Sequence, residues 1–241
     1  MSGRTPVYIV CSPRSRVGKT LVARVLTEFF FVEGRTAAAF DLDEDEPKLL
    51  NCLPSCTTAG TLRTIRGQMA LFDRLVLEDE TPKIVDVGRR EFHEFFTLAQ
   101  KIDFFDEARR RGVEPVILFM IDPDETSALA FAGLQSRFSD AMLVPVQNEA
   151  VAKGHQMRGN FRSTRAAALP LRIPQLQSTL RTIVEEPNFS FANFRQAMPP
   201  GFPTELRNEM ESWMKRVFLE FHELELRLLL ERVRTSLKDQ P

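Results

Sequence analysis

The chain is poor in the residue types that disulfide-bonded folds and zinc centres require. It contains three cysteines, three histidines, one tryptophan and one tyrosine among 241 residues. The cysteines, Cys11, Cys52 and Cys56, are odd in number, and neither they nor the scattered histidines have the spacing of a zinc site. We therefore expect reduced thiols and neither a disulfide framework nor a structural zinc ion.

The chain also lacks an excess of charge of one sign and any long apolar run. Its formal net charge is −1, so it has no overall basic character of the kind that dedicated nucleic-acid-binding modules show. No run approaches the roughly 18 apolar residues of a membrane span, and the first residues contain no apolar signal core. We expect a cytoplasmic protein, and a hydrophobic fraction of 43% suffices for a large α/β core.

The most informative segment that is present covers residues 12–20, Ser-Pro-Arg-Ser-Arg-Val-Gly-Lys-Thr. The general phosphate-binding loop reads Gly, four residues, then Gly-Lys-Ser/Thr. Gly18, Lys19 and Thr20 fit that pattern, whereas Pro13 replaces the first glycine. An apolar run before the loop predicts a buried strand, and a helical pattern begins at Lys19 and ends at Gly34.

A turn from a strand directly into a helix directs backbone N–H groups and the positive end of the helix dipole at one point. Triphosphate oxygens can bind there, with Lys19 neutralising phosphate charge and the Thr20 hydroxyl coordinating Mg²⁺. The segment predicted to bind the nucleotide consists of Pro13, Ser15, Arg16, Val17, Gly18, Lys19, Thr20 and Leu21.

Acidic residues follow two further predicted strands. Residues 36–40 run into Asp41 and Asp43, and residues 83–88 contain Asp86. A single acid after a strand is usually a turn or capping residue. Two such acids, in order after a phosphate-binding loop, favour convergence on one Mg-nucleotide at the carboxyl edge of a parallel sheet.

With these residues in place, the sequence resembles the ParA/MinD group of deviant Walker-A ATPases, whose fold is shared by the dethiobiotin-synthetase and cobyrinate-synthase enzymes. The resemblance covers roughly residues 5–180. Arg14 stands where the partition-type proteins have their signature lysine, and Ser15 and Arg16 stand where those proteins have glycines. The last third is also similar to TraL-like proteins of conjugative transfer, in layout and in an Ile-Pro-x-Leu ending.

The resemblance implies roles for several of these residues. It implies that Asp43 positions the attacking water, and that Asp86 supports Mg²⁺ through water. Arg14 would reach phosphate across a nucleotide-sandwich dimer, although an arginine fork is not equivalent to a lysine ammonium. The implied catalytic set is Lys19, Asp41, Asp43 and Arg14, and the implied metal set is Thr20, Asp41 and Asp86.

The remaining pattern predicts a three-layer αβα fold around a doubly wound, mostly parallel sheet. We expect one helix from Glu91 to Arg111, a central strand at 116–121, and a strand at 141–146 that Pro145 makes irregular or places near an edge. Asn148 would then read the adenine base. The division predicted is a nucleotide-binding domain at 1–198 with a helical extension at 199–241.

Two segments allow more than one interpretation. The helical pattern at 203–237 is either a cap on the sheet or a dimer or partner surface, since its apolar stripe is wide. Mixed acids and bases on its polar face disfavour a membrane-surface helix. The basic segment at 151–168 is either a solvated face or a site for DNA phosphate or an acidic partner.

Three functions fit these features. The first is an ATP- and Mg²⁺-dependent switch, a slow ATPase whose nucleotide state controls homodimerisation and hence the binding of DNA, a membrane or a partner protein. The second is an ATP-dependent ligase, although residues 86–90 lack the glycine-rich segment of those enzymes. The third is a non-hydrolysing nucleotide-binding scaffold, suggested by Pro13, Ser15 and Arg16.

Overall fold

A computed structural model describes residues 4–152, 161, 169–186, 189–196 and 202–238. Seven strands form one parallel sheet in the order β3-β2-β4-β1-β5-β6-β7. The strands are β1 (Thr5–Cys11), β2 (Ala38–Asp41), β3 (Thr57–Ala59), β4 (Lys83–Asp86), β5 (Val113–Ile121), β6 (Met142–Asn148) and β7 (Leu171–Ile173). Strands β2, β3 and β4 lie on one side of β1 in the sheet, and β5, β6 and β7 lie on its other side. The strand order therefore reverses at β1, which is the topological switch point.

Ten helices are described between and after these strands. They are α1 (Lys19–Val32), α2 (Lys48–Cys52), α3 (Ile65–Leu75), α4 (Phe92–Lys101), α5 (Phe104–Arg110), α6 (Glu125–Arg137), α7 (Glu149–Ala152), α8 (Ser178–Val184), α9 (Phe191–Gln196) and α10 (Thr204–Lys238). The helices cover both faces of the sheet, so the predicted three-layer α/β fold with a long C-terminal helix is confirmed.

Successive side chains of a strand point to opposite faces of the sheet, so the strands contribute to two hydrophobic cores. In β5, Leu118 and Met120 face the core that α1, α8, α9 and α10 cover, whereas Ile117 and Phe119 face the core that α3 to α6 cover. The apolar run of β5 is continuous because both faces are buried, as expected for a central parallel strand.

α10 covers α1 and the sheet with one face. Trp213, Val217 and Phe221 are buried in the same core as the side chains of α1, and Phe29 of α1 contacts the ring of Phe221 edge-on. Its outer face leaves Leu226 and Leu230 half-exposed. None of the helices within the described ranges is both long enough and apolar enough to cross a bilayer.

One local prediction was wrong. The helix expected at 91–111 is broken by Asp103, which has a φ of 54° and separates α4 from α5; aspartate tolerates this left-handed conformation. The strand that contains Pro145, β6, lies next to the edge strand β7, and Pro145 fits there because the β7 ladder begins only at Val146. Residues 57–59 add the edge strand β3 beside β2.

Several other predictions fall on residues that lie outside the described part of the chain. They include most of the basic segment at 151–168, with Lys153, Arg158, Arg162 and Arg165, and the first residues of the predicted extension, 199–201.

Candidate functional site

The turn from β1 into α1 carries the phosphate-loop sequence. Its backbone has left-handed φ angles at two positions, of which only one is a glycine. Arg16 has a φ of 60°, in the left-handed region, and Gly18 has a φ of 96°. A non-glycine residue in that region costs on the order of 1 kcal/mol or more. The loop therefore retains a glycine-like conformation at Arg16, at some expense in stability.

Gly18 is the N-cap of α1 and leaves the helix start open. It supplies no side-chain cap, and the first turn of α1 contains no acidic residue. The first N–H groups of a helix lack intrahelical partners, so an uncapped start without acids favours an anion. Pro13 and Leu21 flank the loop half-buried, while Ser15 is exposed.

Lys19 lies across the loop rather than out in solvent. Its Nζ donates a hydrogen bond to the carbonyl oxygen of Arg14 at 2.8 Å. Burial lowers the pKa of Lys19, while the nearby Asp86, Cys11 and Asp43 raise it. The ammonium group is thus held between the loop and the acidic strand ends, where phosphate charge would replace the carbonyl as its partner.

Asp86 ends β4 in a buried position beside Lys19 and Thr20. Burial raises its pKa to about 7, and the Thr20 hydroxyl next to it favours the ionised form. Its Oδ1 is buried without a hydrogen-bond partner among the described residues. A buried carboxylate oxygen without a partner is costly, and a hydrated cation beside Thr20 would satisfy it.

Asp41 and Asp43 lie at the end of the neighbouring strand, where Asp41 pairs in register with Asp86. Both carboxylate oxygens of Asp41 accept backbone N–H groups, from Asp43 at 3.1 Å and from Leu50 at 3.0 Å. Burial raises the pKa of Asp41, and these hydrogen bonds lower it. Asp41 therefore shapes the loop after β2, while Asp43 is half-buried and accepts the N–H of Glu46.

These residues fit a magnesium ion that arrives with a nucleotide better than an ion held by protein alone. In the described part of the chain, no three His, Cys, Asp or Glu side chains form a metal cluster. Mg²⁺ is commonly held by one or two protein groups together with phosphate oxygens and water. Thr20 and Asp86 can supply the protein groups, whereas each oxygen of Asp41 already accepts one backbone N–H.

Arg14 points away from Lys19, towards the end of β5. Its guanidinium lies 3.0 Å from Asp124 and 3.9 Å from Asp122. The buried Asp122 also accepts hydrogen bonds from Ser127 and from the N–H of Asp124, both at 2.8 Å. Asp122 is a contact that the sequence interpretation missed, although it directly follows β5 and Asp86 is the last residue of β4.

Asn148, predicted to read the base, lies buried at the end of β6 against the loop. Its Nδ2 donates to the carbonyl oxygen of the buried Val17 at 3.1 Å, and its Oδ1 accepts the N–H of Ala150 at 3.0 Å. A Cβ added to Gly18 would lie 2.5 Å from Nδ2. Asn148 thus supports the phosphate-loop backbone, a role with no local signal in the sequence.

The fold and this site together define a three-layer α/β protein in which an altered phosphate-loop turn and two strand-terminal acids meet at the carboxyl edge of a parallel sheet. This layout fits a P-loop-like NTPase fold.

Comparison with known proteins adds little to this description. No family model and no curated protein matches the sequence. Among solved structures, the chain is similar to a nucleotide-binding protein from Archaeoglobus fulgidus, determined in complex with ADP and with cobalt. The alignment covers 74% of this chain and 85% of the other, with 14% identity and a TM-score of 0.42.

Proposed function

We propose that this protein binds a magnesium nucleoside triphosphate, ATP, at the β1–α1 turn, as a ParA/MinD-like switch that hydrolyses ATP slowly. The observation that carries the proposal is the arrangement around Lys19, which lies between an uncapped helix start and the buried, partly unpartnered Asp86. The start of α1 has no anion bound to its free N–H groups, and Asp86 has an oxygen that a cation would satisfy. A metal triphosphate supplies both ions.

Different residues of the chain bind the phosphates, the cation and the attacking water. The first N–H groups of α1 and the Lys19 ammonium bind the phosphates, while Thr20 and Asp86 hold the cation and its water. Bound Mg²⁺ neutralises charge that develops on the phosphates during transfer. Asp43 orients the attacking water from the loop after β2.

Binding is tested by titrating a fluorescent ATP analogue into the wild-type protein and two variants. Lys19→Ala should weaken binding about ten- to a hundredfold, the worth of a charge-assisted contact. Lys101→Ala, an exposed lysine at the end of α4, should bind as wild type. Equal affinity of all three proteins for the analogue would reject the β1–α1 site.

The switch requires a nucleotide-dependent dimer, whose protein or DNA partner we leave open. Asp43→Ala should bind ATP yet accumulate as an ATP-bound dimer on size-exclusion chromatography, because hydrolysis would release it. Arg14→Ala should slow hydrolysis while leaving monomer binding intact. A monomer under every nucleotide condition would contradict the switch.

A non-hydrolysing scaffold is the second candidate, and the position of Arg14 favours it. The ion pairs with Asp122 and Asp124 hold its guanidinium within its own chain. Phosphate release that does not exceed the Lys19→Ala background, in a protein that binds nucleotide, would favour the scaffold over the switch.

A further inference from the structure

Glu91, immediately before α4, is a buried acid that the site described above does not use. Its side chain is buried, with the residue 7% exposed, and its Oε2 has no hydrogen-bond partner among the described residues. It makes no side-chain cap to α4. A buried carboxylate oxygen without a partner destabilises the fold, so its presence needs an explanation other than packing.

The carboxylate of Glu91 lies over Gly88, beside the loop that carries Asp43. A Cβ added to Gly88 would lie 2.0 Å from Oε2 of Glu91 and 3.2 Å from the Cα of Asp43. A Cβ at position 88 would displace this carboxylate. Gly88 follows Asp86 by two positions, so Glu91 reaches the same edge of the sheet as the candidate nucleotide site.

The charges around Glu91 come from two segments, the loop after β2 and Arg63. Burial raises the pKa of Glu91 most, and Asp43 and Glu44 raise it further, whereas its own backbone N–H and Arg63 lower it. Arg63 is itself shared, at 3.1 Å from Glu44 and 3.6 Å from Asp45. Glu91 is therefore a second carboxylate near Asp43, and it shares the cation that acts on it with two other acids.

We propose that Glu91 is a catalytic residue for hydrolysis: its unpartnered Oε2 accepts a hydrogen bond from the water that Asp43 orients. This role rests on the proposed function. In the reaction the water oxygen bonds to the terminal phosphorus, and the bond from that phosphorus to the bridging oxygen breaks, its electron pair leaving with ADP. The proton of the water passes to the paired carboxylates and then to the released phosphate.

The test compares Glu91→Gln with Glu94→Gln, which removes the same charge from an exposed position in the first turn of the same helix. Turnover of ATP by Glu91→Gln should fall about tenfold to a hundredfold, while its affinity for a fluorescent ATP analogue stays within about threefold of wild type. Glu94→Gln should match wild type in both measurements.

A second readout needs no nucleotide. Because the pKa of Glu91 is raised in the folded protein, ionisation of this group lowers stability as pH rises. Glu91→Gln should therefore unfold at a higher urea concentration than wild type at pH 8, with the gain shrinking towards pH 5. Glu94→Gln should show no such gain.

Several outcomes would overturn the proposal. Wild-type turnover by Glu91→Gln would do so, as would a urea midpoint at pH 8 that is unchanged or lower, since the carboxylate would then be satisfied or structural. A wild-type protein that binds nucleotide without turnover would remove the role of Glu91 and leave the nucleotide site intact. A wild-type protein that binds no nucleotide would overturn the proposed function itself.

Discussion

At the scale of single residues, Gly18 joins the phosphate loop to β6. Its backbone is left-handed, and its Cα lies so close to Asn148 that a methyl group would clash with the amide. Gly34, just beyond α1, is also left-handed, with a φ of 72°, but a Cβ there would meet nothing within 4 Å. Substitution of Gly34 would therefore cost backbone strain alone, whereas substitution of Gly18 would cost both strain and a steric clash.

Gly34→Ala should reduce the free energy of unfolding by about 1 kcal/mol, the cost of a left-handed alanine. Gly18→Ala should cost more, about 2 to 4 kcal/mol, because strain and clash add. Urea unfolding followed by circular dichroism measures both. In an Asn148→Ala background the extra cost of Gly18→Ala should shrink; an unchanged cost would show that Asn148 is not the obstacle.

The buried Asp86 should make the stability of the nucleotide-free protein depend on pH. Its pKa of about 7 in the folded protein lies above the ordinary value of 3.8, so the folded state holds a proton that the unfolded state has released. The contribution of Asp86 to the free energy of unfolding is then most favourable below pH 4. It falls as pH rises to about 7 and is constant at higher pH.

Asp86→Asn removes this penalty. We expect the variant to exceed wild type in free energy of unfolding at pH 8, by up to about 4 kcal/mol, and to equal it near pH 4. Urea midpoints at a series of pH values measure the difference. A variant less stable than wild type at pH 8 would mean that the Asp86 carboxylate is already well satisfied.

At the scale of secondary-structure elements, a buried ion pair joins α1 to the segment from α8 to α9. Arg24 donates to Glu28 at 3.2 Å and to the carbonyl oxygen of Val184 at 2.6 Å. Glu28, with no exposed surface, also accepts from Ser190 at 2.5 Å and from the N–H of Ala192 at 3.0 Å. One carboxylate thus binds both Arg24 and the start of α9.

Glu28→Ala should reduce the free energy of unfolding by about 3 to 5 kcal/mol, because it leaves Arg24 buried without a counter-charge. The exposed pair between Arg181 and Glu185 has the same residue types and the same spacing. Glu185→Ala should cost less than about 1 kcal/mol. Chemical unfolding compares the two; similar losses would show that the Arg24–Glu28 pair is solvated.

The elements that could be predicted from sequence are those with one strong apolar pattern. β1, α1 and β5 were identified because each buries a continuous face, and the phosphate loop was identified by Gly18 and Lys19 between them. The edge strand β3 is only three residues long, and the break at Asp103 is one backbone angle. Neither leaves a periodic signal, since both depend on packing against neighbouring elements.

Some residues of the candidate site could be predicted from the sequence and others could not. Asp41 and Asp86 were predicted because each lies at the end of a strand. Asn148 was found at the correct strand end, but its contact with Val17 depends on two strands meeting in the folded sheet. Glu91 carried no signal, because its significance lies in burial without a partner and in its approach to Gly88.

At the scale of the whole molecule, α10 belongs to the core that α1 also fills. Trp213 is the only tryptophan of the chain. It is 1% exposed, donates from Nε1 to the carbonyl oxygen of Pro174 at 2.8 Å, and stacks on Phe191. Its fluorescence therefore reports on the junction of α10 with β7 and α9.

Unfolding should consequently be a single transition across the predicted boundary at residue 198. Trp213 emission and far-ultraviolet circular dichroism should give urea midpoints that coincide, with a red shift of the emission on unfolding. A tryptophan transition at a lower urea concentration than the loss of ellipticity would show that residues 199–241 detach as a separate unit.

The contact of Phe29 with Phe218 and Phe221 joins an early helix of the chain to its last one. Translation releases α1 long before α10, so the nascent polypeptide displays the aromatic surface of α1 until α10 has been made. Such surfaces attract ribosome-associated chaperones and promote aggregation when they stay open. We expect the aromatic surface of α1 to become protected only once α10 has emerged from the ribosome.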